Sequence, residues 1–231
     1  MEQIYTIPIN EVFESNAEAE VKLCPLCLLR KRLEDNELDL ILGASMMEPD
    51  IRIKTNKEGF CGQHYGKMLT MKNRLGLGLM LESHLDEVAK GLEDGFLPFK
   101  KGASTVAYME KLEHSCYICG KVAYHFKRMC GNLAAMYGAD AEFRKKFSAQ
   151  PYFCLPHLRE LAEAGKRELS GKAYAAFWEE AAGICRRYLA TLQEDVSWFC
   201  KKFDYRYENE PWYNAKDAIP RAAAFLEGEK L

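Results

Sequence analysis

The sequence lacks a strong net charge, a long apolar run and an apolar leader. Its 32 basic and 34 acidic residues leave a formal charge of −2, whereas proteins that bind nucleic acid normally carry a strongly basic face. The longest apolar run, Leu75 to Leu81, is far shorter than the roughly 20 residues of a membrane-spanning helix. Residues 1–18 are acidic and contain no apolar core of a secretory signal. We therefore expect a cytoplasmic protein that binds neither nucleic acid nor membrane.

The sequence also has little that predicts β-structure. Few segments alternate apolar and polar residues with a period of two, and β-branched residues are sparse. Residues 28–42 and 121–137 fit the 3.6-residue period of a helix, as do two amphipathic stretches at 77–92 and about 172–203. Residues 45–59 contain Pro49 and show no periodicity, which predicts a loop. The fold class is therefore all-α.

The cysteines, by contrast, are numerous and ordered. In a reducing compartment, paired cysteines more often bind metal or do redox work than form structural disulfides. Two Cys-x2-Cys pairs are each followed, after 33 and 34 residues, by a Cys-x2-His pair. The pairs are Cys24 with Cys27, Cys61 with His64, Cys116 with Cys119, and Cys154 with His157. The shared order and spacing indicate an internal duplication.

This duplication predicts two related helical halves and a tail. The first metal-binding repeat covers residues 1–98, and the second covers residues 99–203. The turn-forming residues Gly95, Pro98 and Gly102 mark the junction between them. Residues 204–231 form an aromatic C-terminal tail that we expect to pack on the core.

Three thiolates and one imidazole are a common ligand set of structural zinc sites. We expect two zinc ions per chain, one in each repeat: Cys24, Cys27, Cys61 and His64 hold the first, and Cys116, Cys119, Cys154 and His157 hold the second. Equal spacing within each copy favours this grouping over a cross-braced one with an all-cysteine site. An iron–sulfur cluster is the next candidate for the ligands, and a redox dithiol explains less of the pattern.

The remaining reactive residues have simpler interpretations. Cys130, Cys185 and Cys200 fall on helical stretches outside the repeat, which favours core packing. Glu82, His84, Asp86 and Glu87 cluster on one helix, where a solvated charged face is a better interpretation than acid–base catalysis. No catalytic or cofactor-binding residues beyond the metal ligands are predicted.

Several motifs together resemble an uncharacterised family of bacterial proteins, a domain of unknown function. They are Cys-Pro-Leu-Cys at 24–27, Leu-Gly-Leu-Met-Leu-Glu at 77–82, Cys-Tyr-Ile-Cys at 116–119, the two Phe-Cys-x2-His motifs ending at His64 and His157, and Lys-Phe-Asp-Tyr-Arg at 202–206. The resemblance covers nearly the whole chain and implies no activity.

The sequence therefore favours a binding or scaffold protein over an enzyme. Four protein ligands leave a zinc ion no open position for substrate, which argues against metal catalysis. We expect protein partners or self-association. The alternative is an iron–sulfur or dithiol redox protein, or an enzyme with a pocket between the two halves.

Overall fold

A computed structural model describes residues 3–93 and 102–229 of the chain. In these ranges the backbone forms eleven α-helices, two short 3-10 helices and no strand. The helices are α1 (Gln3–Glu18), α2 (Pro25–Leu42), α3 (Pro49–Glu58), α4 (Gly62–Thr70), α5 (Arg74–Leu92), α6 (Ala103–Glu113), α7 (Tyr117–Ala139), α8 (Ala141–Ser148), α9 (Leu155–Glu168), α10 (Gly171–Lys201) and α11 (Ala218–Glu227). The 3-10 helices are Ala44–Met47 and Tyr205–Tyr207. The all-α prediction is confirmed.

The four helices predicted from periodicity are present as α2, α5, α7 and α10. Their apolar stripes were readable because each is long and has one side in a core. Of the helices in the described ranges, none combines the length and the apolar character that crossing a bilayer requires.

The predicted loop at residues 45–59 is wrong, because most of it forms α3. Pro49 lies in the first turn, where its missing N–H costs no hydrogen bond, and Asp50 complements the helix dipole there. Within α3 only Thr55 is fully buried. A short helix that buries so little has no apolar stripe, and residues 45–59 therefore show no helical periodicity.

The chain divides into two compact units. Residues 1–31 and 126–231 form one, which we call the terminal unit, and residues 32–125 form the other, the central unit. The boundaries fall inside α2 and α7, so each of these helices contributes residues to both units. The predicted boundary between residues 98 and 99 lies outside the described residues, and the division into repeats and tail stays a prediction.

The core of the terminal unit is aromatic. Phe13, Phe143, Phe147, Phe153 and Phe177 are fully buried, and three tilted pairs among them have ring centroids 5.0 to 5.4 Å apart. Such tilted ring pairs add to the stabilisation from buried area. This core joins α1, α8 and α10 to the segment that precedes α9.

A buried polar bridge fixes α1 to the same segment. The Asn16 side chain donates to Gln150 Oε1 at 3.0 Å and to the Leu23 carbonyl at 2.8 Å. Gln150 in turn donates to the Phe13 carbonyl at 2.8 Å. Because both amides are satisfied, their burial is not penalised. The bridge therefore fixes residues close in sequence to Cys24 and to Cys154.

Helices α9 and α10 approach closely at Gly165. A Cβ atom at this position would lie 2.7 Å from Cδ1 of Phe177, whose ring is fully buried. Glycine is therefore required at this contact. Helix α11 packs against both α9 and α10, with Phe225 only 1% exposed.

The central unit has its own aliphatic core. Its buried members come from α2, α4, α5 and the start of α7, and they include Leu38, Ile41, Met68, Met80 and Ile118. Helix α3 packs on α5, and α5 also contacts α6. The backbone N–H of Tyr117 donates to the Gly59 carbonyl at 3.0 Å, which brings the start of α7 beside the segment before α4.

Candidate metal centres

Four predicted ligands converge inside the terminal unit. Cys24, Cys27, Cys154 and His157 form a buried group that we call cluster A. His157 Nδ1 lies 3.6 Å from Cys24 Sγ, 3.4 Å from Cys27 Sγ and 3.2 Å from Cys154 Sγ. The Sγ atoms of Cys27 and Cys154 are 3.8 Å apart.

The other four converge inside the central unit. Cys61, His64, Cys116 and Cys119 form cluster B. His64 Nδ1 lies 3.2 Å from Cys61 Sγ, 3.2 Å from Cys116 Sγ and 3.5 Å from Cys119 Sγ. The Sγ atoms of Cys61 and Cys119 are 3.9 Å apart.

These separations fit one tetrahedral ion in each cluster. With Zn–S distances of about 2.3 Å and Zn–N distances of about 2.05 Å, tetrahedral angles place two sulfurs about 3.8 Å apart and sulfur and nitrogen about 3.6 Å apart. Both S–S distances, 3.8 and 3.9 Å, match, and the N–S distances of 3.2 to 3.6 Å are equal or slightly shorter. The clusters therefore have the ligand set and the dimensions of a closed metal site.

The expected grouping of ligands within each copy is wrong. Each cluster instead takes its Cys-x2-Cys pair from one predicted repeat and its Cys-x2-His pair from the other. Each cluster still contains three cysteines and one histidine, as predicted, because the Cys-x2-His pair of one repeat takes the place of the equivalent pair of the other. Equal spacing within the copies could not distinguish the two groupings, since both use the same four pairs.

All four pairs sit at the start of a helix. Cys61 and Cys154 are the residues that cap α4 and α9, and Cys24 and Cys116 immediately precede α2 and α7. The second ligand of each pair then falls in the first turn, three residues on. Side chains three residues apart lie on one helix face, and the N-terminal dipole favours the thiolate form.

Backbone N–H groups at these helix starts point at the sulfurs. Cys154 N–H donates to Cys24 Sγ at 3.4 Å, and Cys119 N–H donates to Cys116 Sγ at 3.5 Å. The N–H groups of a first helical turn have no partner within the helix. Here they stabilise negative charge on the ligand sulfurs, which helps thiolates to bind a cation.

In cluster B a carboxylate lies behind the histidine. Glu34 Oε1 is 2.9 Å from His64 Nε2, though without the alignment of a full hydrogen bond, and Lys67 Nζ is 2.6 Å from Glu34 Oε2. A metal ion bound to His64 Nδ1 would leave the ring proton on Nε2, and Glu34 could then accept a hydrogen bond from that N–H. A carboxylate that orients a metal-binding histidine in this way is a common feature of zinc sites.

In cluster A an aromatic ring occupies the corresponding place. Phe126 follows Cys119 by seven residues, as Glu34 follows Cys27, and its ring centroid lies 5.1 Å from that of His157. The Arg30 guanidinium sits 5.8 Å from the centre of the same ring. The two histidines are thus oriented by different chemistry, a carboxylate in one cluster and ring packing in the other.

Residues 228 and 229 cover cluster A. Glu229 N–H donates to Cys27 Sγ at 3.3 Å, and the Glu229 carboxylate accepts a hydrogen bond from the buried Tyr152 hydroxyl. Gly228 turns the backbone with φ of 91°, a region that favours glycine. A Cβ atom there would lie within 3.8 Å of Cys27 Sγ and Cys154 Sγ, so the backbone itself closes over the sulfurs.

The ligand side chains differ in pKa. Burial raises the pKa of Cys24 well above its ordinary value of 9.0 and that of Cys119 to about 12. Hydrogen bonds from Cys24 and Cys27 lower the pKa of Cys154 to about 4. Burial lowers the pKa of His64, which keeps its imidazole neutral at pH 7 and able to bind a cation. A metal ion must therefore displace protons from some thiols but not from all ligands.

The cysteines outside the clusters divide into two kinds. Cys130 and Cys185 are buried, as expected for core packing, and Cys185 Sγ donates to the Phe153 carbonyl at 3.1 Å. The expectation for Cys200 is wrong, because its side chain is exposed. It lies at the end of α10, where the helix side that carries it faces solvent.

The charged group on α5 shows no catalytic arrangement among the described residues. Glu82 and Asp86 are exposed, whereas His84 is buried with its Nδ1 2.8 Å from the Asn56 carbonyl. His84 therefore bonds to backbone and packs beside Gly59, while the acids lie on the solvated face.

Sequence reasoning missed Glu34, Phe126 and Glu229. The only signal for the first two is their position seven residues after a Cys-x2-Cys pair, and it has meaning only once the exchanged grouping is known. Glu229 acts through its backbone N–H, which leaves no signature in the sequence.

One family model matches the chain over its whole length, residues 1–231, and describes a family of unknown function, DUF6062. No curated protein and no solved structure matches the chain.

Proposed function

Because the chain belongs to DUF6062, a family of unknown function, we propose its role from its own two clusters. It is a helical binding or scaffold protein in which one zinc ion stabilises each compact unit. The observation that carries this proposal is the closed, tetrahedral arrangement of three sulfurs and one imidazole nitrogen in each unit. Zinc accepts this ligand set and geometry without any redox requirement.

A structural role follows from the number of ligands. Four protein side chains fill a tetrahedral coordination sphere, so neither water nor substrate has a position on the ion. The ligands of each cluster also come from segments far apart in the chain, which an ion would cross-link. Metal binding of this kind is coupled to folding.

Protein partners or self-association fit the surface of the terminal unit. Phe203, Tyr205 and Tyr213 are 76%, 85% and 71% exposed, and aromatic residues are enriched in protein interfaces. We place this binding role in the cytoplasm, where cysteines remain reduced and available to metal. Light scattering over a range of protein concentrations tests self-association, and a constant monomer mass would exclude it.

Metal analysis of freshly purified protein tests the central claim. We expect two zinc ions per chain, colourless protein, and loss of helical circular dichroism when a strong chelator removes the metal. Iron and sulfide with visible absorbance would favour the iron–sulfur alternative. Protein without metal but with readily oxidised cysteine pairs would favour a dithiol redox role.

A further inference from the structure

The two clusters contain one equivalent pair of sulfurs that differs in solvent access. Cys27 and Cys154 in cluster A correspond in motif position to Cys119 and Cys61 in cluster B. The S–S distances are almost equal, 3.8 Å and 3.9 Å. Cys27 and Cys154 are buried, however, whereas Cys119 is exposed and Cys61 is partly exposed. The two sulfur pairs therefore have nearly the same S–S distance but differ in their exposure to solvent.

The C-terminal segment accounts for this difference. In cluster A, Glu229 N–H donates to Cys27 Sγ and the backbone at Gly228 lies over both sulfurs. The equivalent thiol in cluster B, Cys119, remains open to solvent. A small oxidant can thus reach a ligand sulfur of cluster B directly, but it must first displace residues 228 and 229 to reach cluster A.

The other members of cluster B are protected. Cys116 is only 9% exposed, and its sulfur accepts the Cys119 N–H, while His64 is 4% exposed. The reactive thiolate is thus Cys119, and the accessible thiolate nearest to it that can complete a disulfide is Cys61. Exposed, metal-bound thiolates are nucleophilic enough to react with peroxides.

We propose that cluster B is a peroxide-reactive site in which Cys61 and Cys119 form a disulfide and release the metal ion, while cluster A retains its ion. This inference rests on the proposed metal occupancy. Cys119 thiolate first attacks hydrogen peroxide to give a sulfenic acid and hydroxide. Cys61 thiolate then attacks that sulfur and displaces a second hydroxide. Two thiolates lose two electrons to one peroxide, and Zn²⁺ leaves without change of oxidation state.

The test uses the full chain with Cys200→Ser, which removes the exposed thiol outside both clusters. Zinc content is measured first. Hydrogen peroxide is then added stepwise, and released zinc is followed with a chromogenic chelator. Disulfides are mapped by mass spectrometry of peptides. We expect release of one zinc per chain with loss of two thiols, a Cys61–Cys119 disulfide, and recovery after reduction in the presence of zinc.

Each other result has a distinct meaning. Simultaneous release of both ions, retention of both, or earlier loss from cluster A would overturn the inference while leaving the structural metal role intact. A Cys116–Cys119 disulfide would overturn the assigned pair. Absence of zinc before any oxidant is added would instead reject the proposed function itself.

A pair of variants tests the protective role of the tail. Glu229→Pro removes the N–H that bonds to Cys27, whereas Glu229→Ala removes only the carboxylate and keeps that N–H. We expect peroxide to release the second ion, that of cluster A, faster in the proline variant than in the alanine variant. Equal rates in the two variants would show that the N–H to Cys27 does not protect cluster A.

Discussion

Two double variants distinguish the exchanged ligand grouping from grouping within each copy. Cys24→Ser with Cys154→Ser damages only cluster A, so one zinc per chain should remain. Cys24→Ser with Cys61→Ser removes one ligand from each cluster, so neither cluster should bind a full equivalent of zinc. Grouping within the copies predicts the reverse result, because there Cys24 and Cys61 would share an ion. The Cys200→Ser variant is the control and should keep both ions.

The two outcomes also differ in stability. A structural zinc site contributes apparent binding energies of about 10–16 kcal/mol, which is comparable with the whole stability of a domain. The variant that loses only cluster A should therefore keep a folded central unit, and the variant that loses both should unfold. Cluster A spans 127 positions between Cys27 and Cys154, whereas cluster B spans 52 between His64 and Cys116. Loop-closure entropy alone makes the cross-link of cluster A worth about 0.8 kcal/mol more.

Metal content by mass spectrometry and denaturant unfolding by circular dichroism provide the readouts. One zinc in the Cys24/Cys61 double variant, together with none in the Cys24/Cys154 variant, would refute the geometry of both clusters. Two zinc ions in either variant would refute the assignment of Cys24 as a ligand.

Glu34, Gly165 and the thiols of the two clusters each carry a testable prediction. Glu34→Gln should weaken zinc binding at cluster B about 10–100-fold, or about 1.4–2.7 kcal/mol, as measured by chelator competition. Glu37→Gln on the same helix is the control. An equal loss of zinc affinity in the two variants would contradict an orienting role for Glu34. Gly165→Ala should destabilise the chain by about 1–3 kcal/mol in urea unfolding, because the new Cβ atom meets the Phe177 ring. Gly183→Ala on α10 is the control: its Cβ atom would make only ordinary contacts, at 3.5 Å or more, with the ends of arginine side chains, and it should stabilise the chain by up to about 1 kcal/mol. Burial raises thiol pKa values in both clusters, so a zinc ion must displace protons when it binds. Zinc affinity should therefore fall on acidification, by about tenfold per pH unit for each proton displaced. A zinc affinity that does not change between pH 6 and pH 8 would contradict this prediction.

The sequence was informative where the physical pattern is local. A ligand pair three residues apart is a local pattern, so Cys24 with Cys27 and the three other pairs could be recognised. Long helices such as α10 could be recognised because apolar residues lie on one side of the helix and polar residues on the other. Such patterns do not depend on what a segment packs against.

The remaining features depend on which distant segments meet. The grouping of Cys24 with Cys154 is a long-range choice that equal spacing leaves open. Helix α3 buries little more than Thr55 and therefore shows no amphipathic pattern. The exposure of Cys200 depends on which side of α10 is covered, and the N–H of Glu229 is a backbone group that any residue except proline provides.

The two clusters are nested along the chain, and this gives them an order during synthesis. All four ligands of cluster B lie between residues 61 and 119, so all of them have been synthesised once residue 125 is added. Cluster A needs His157, and its protecting N–H comes from Glu229, more than 100 residues after the central unit. At about 5–20 residues per second, the interval between residue 125 and residue 229 lasts on the order of 5–20 s. During that time a nascent chain can bind one ion in a completed central unit, whereas Cys24 and Cys27 still lack Cys154 and His157, the other two ligands of cluster A.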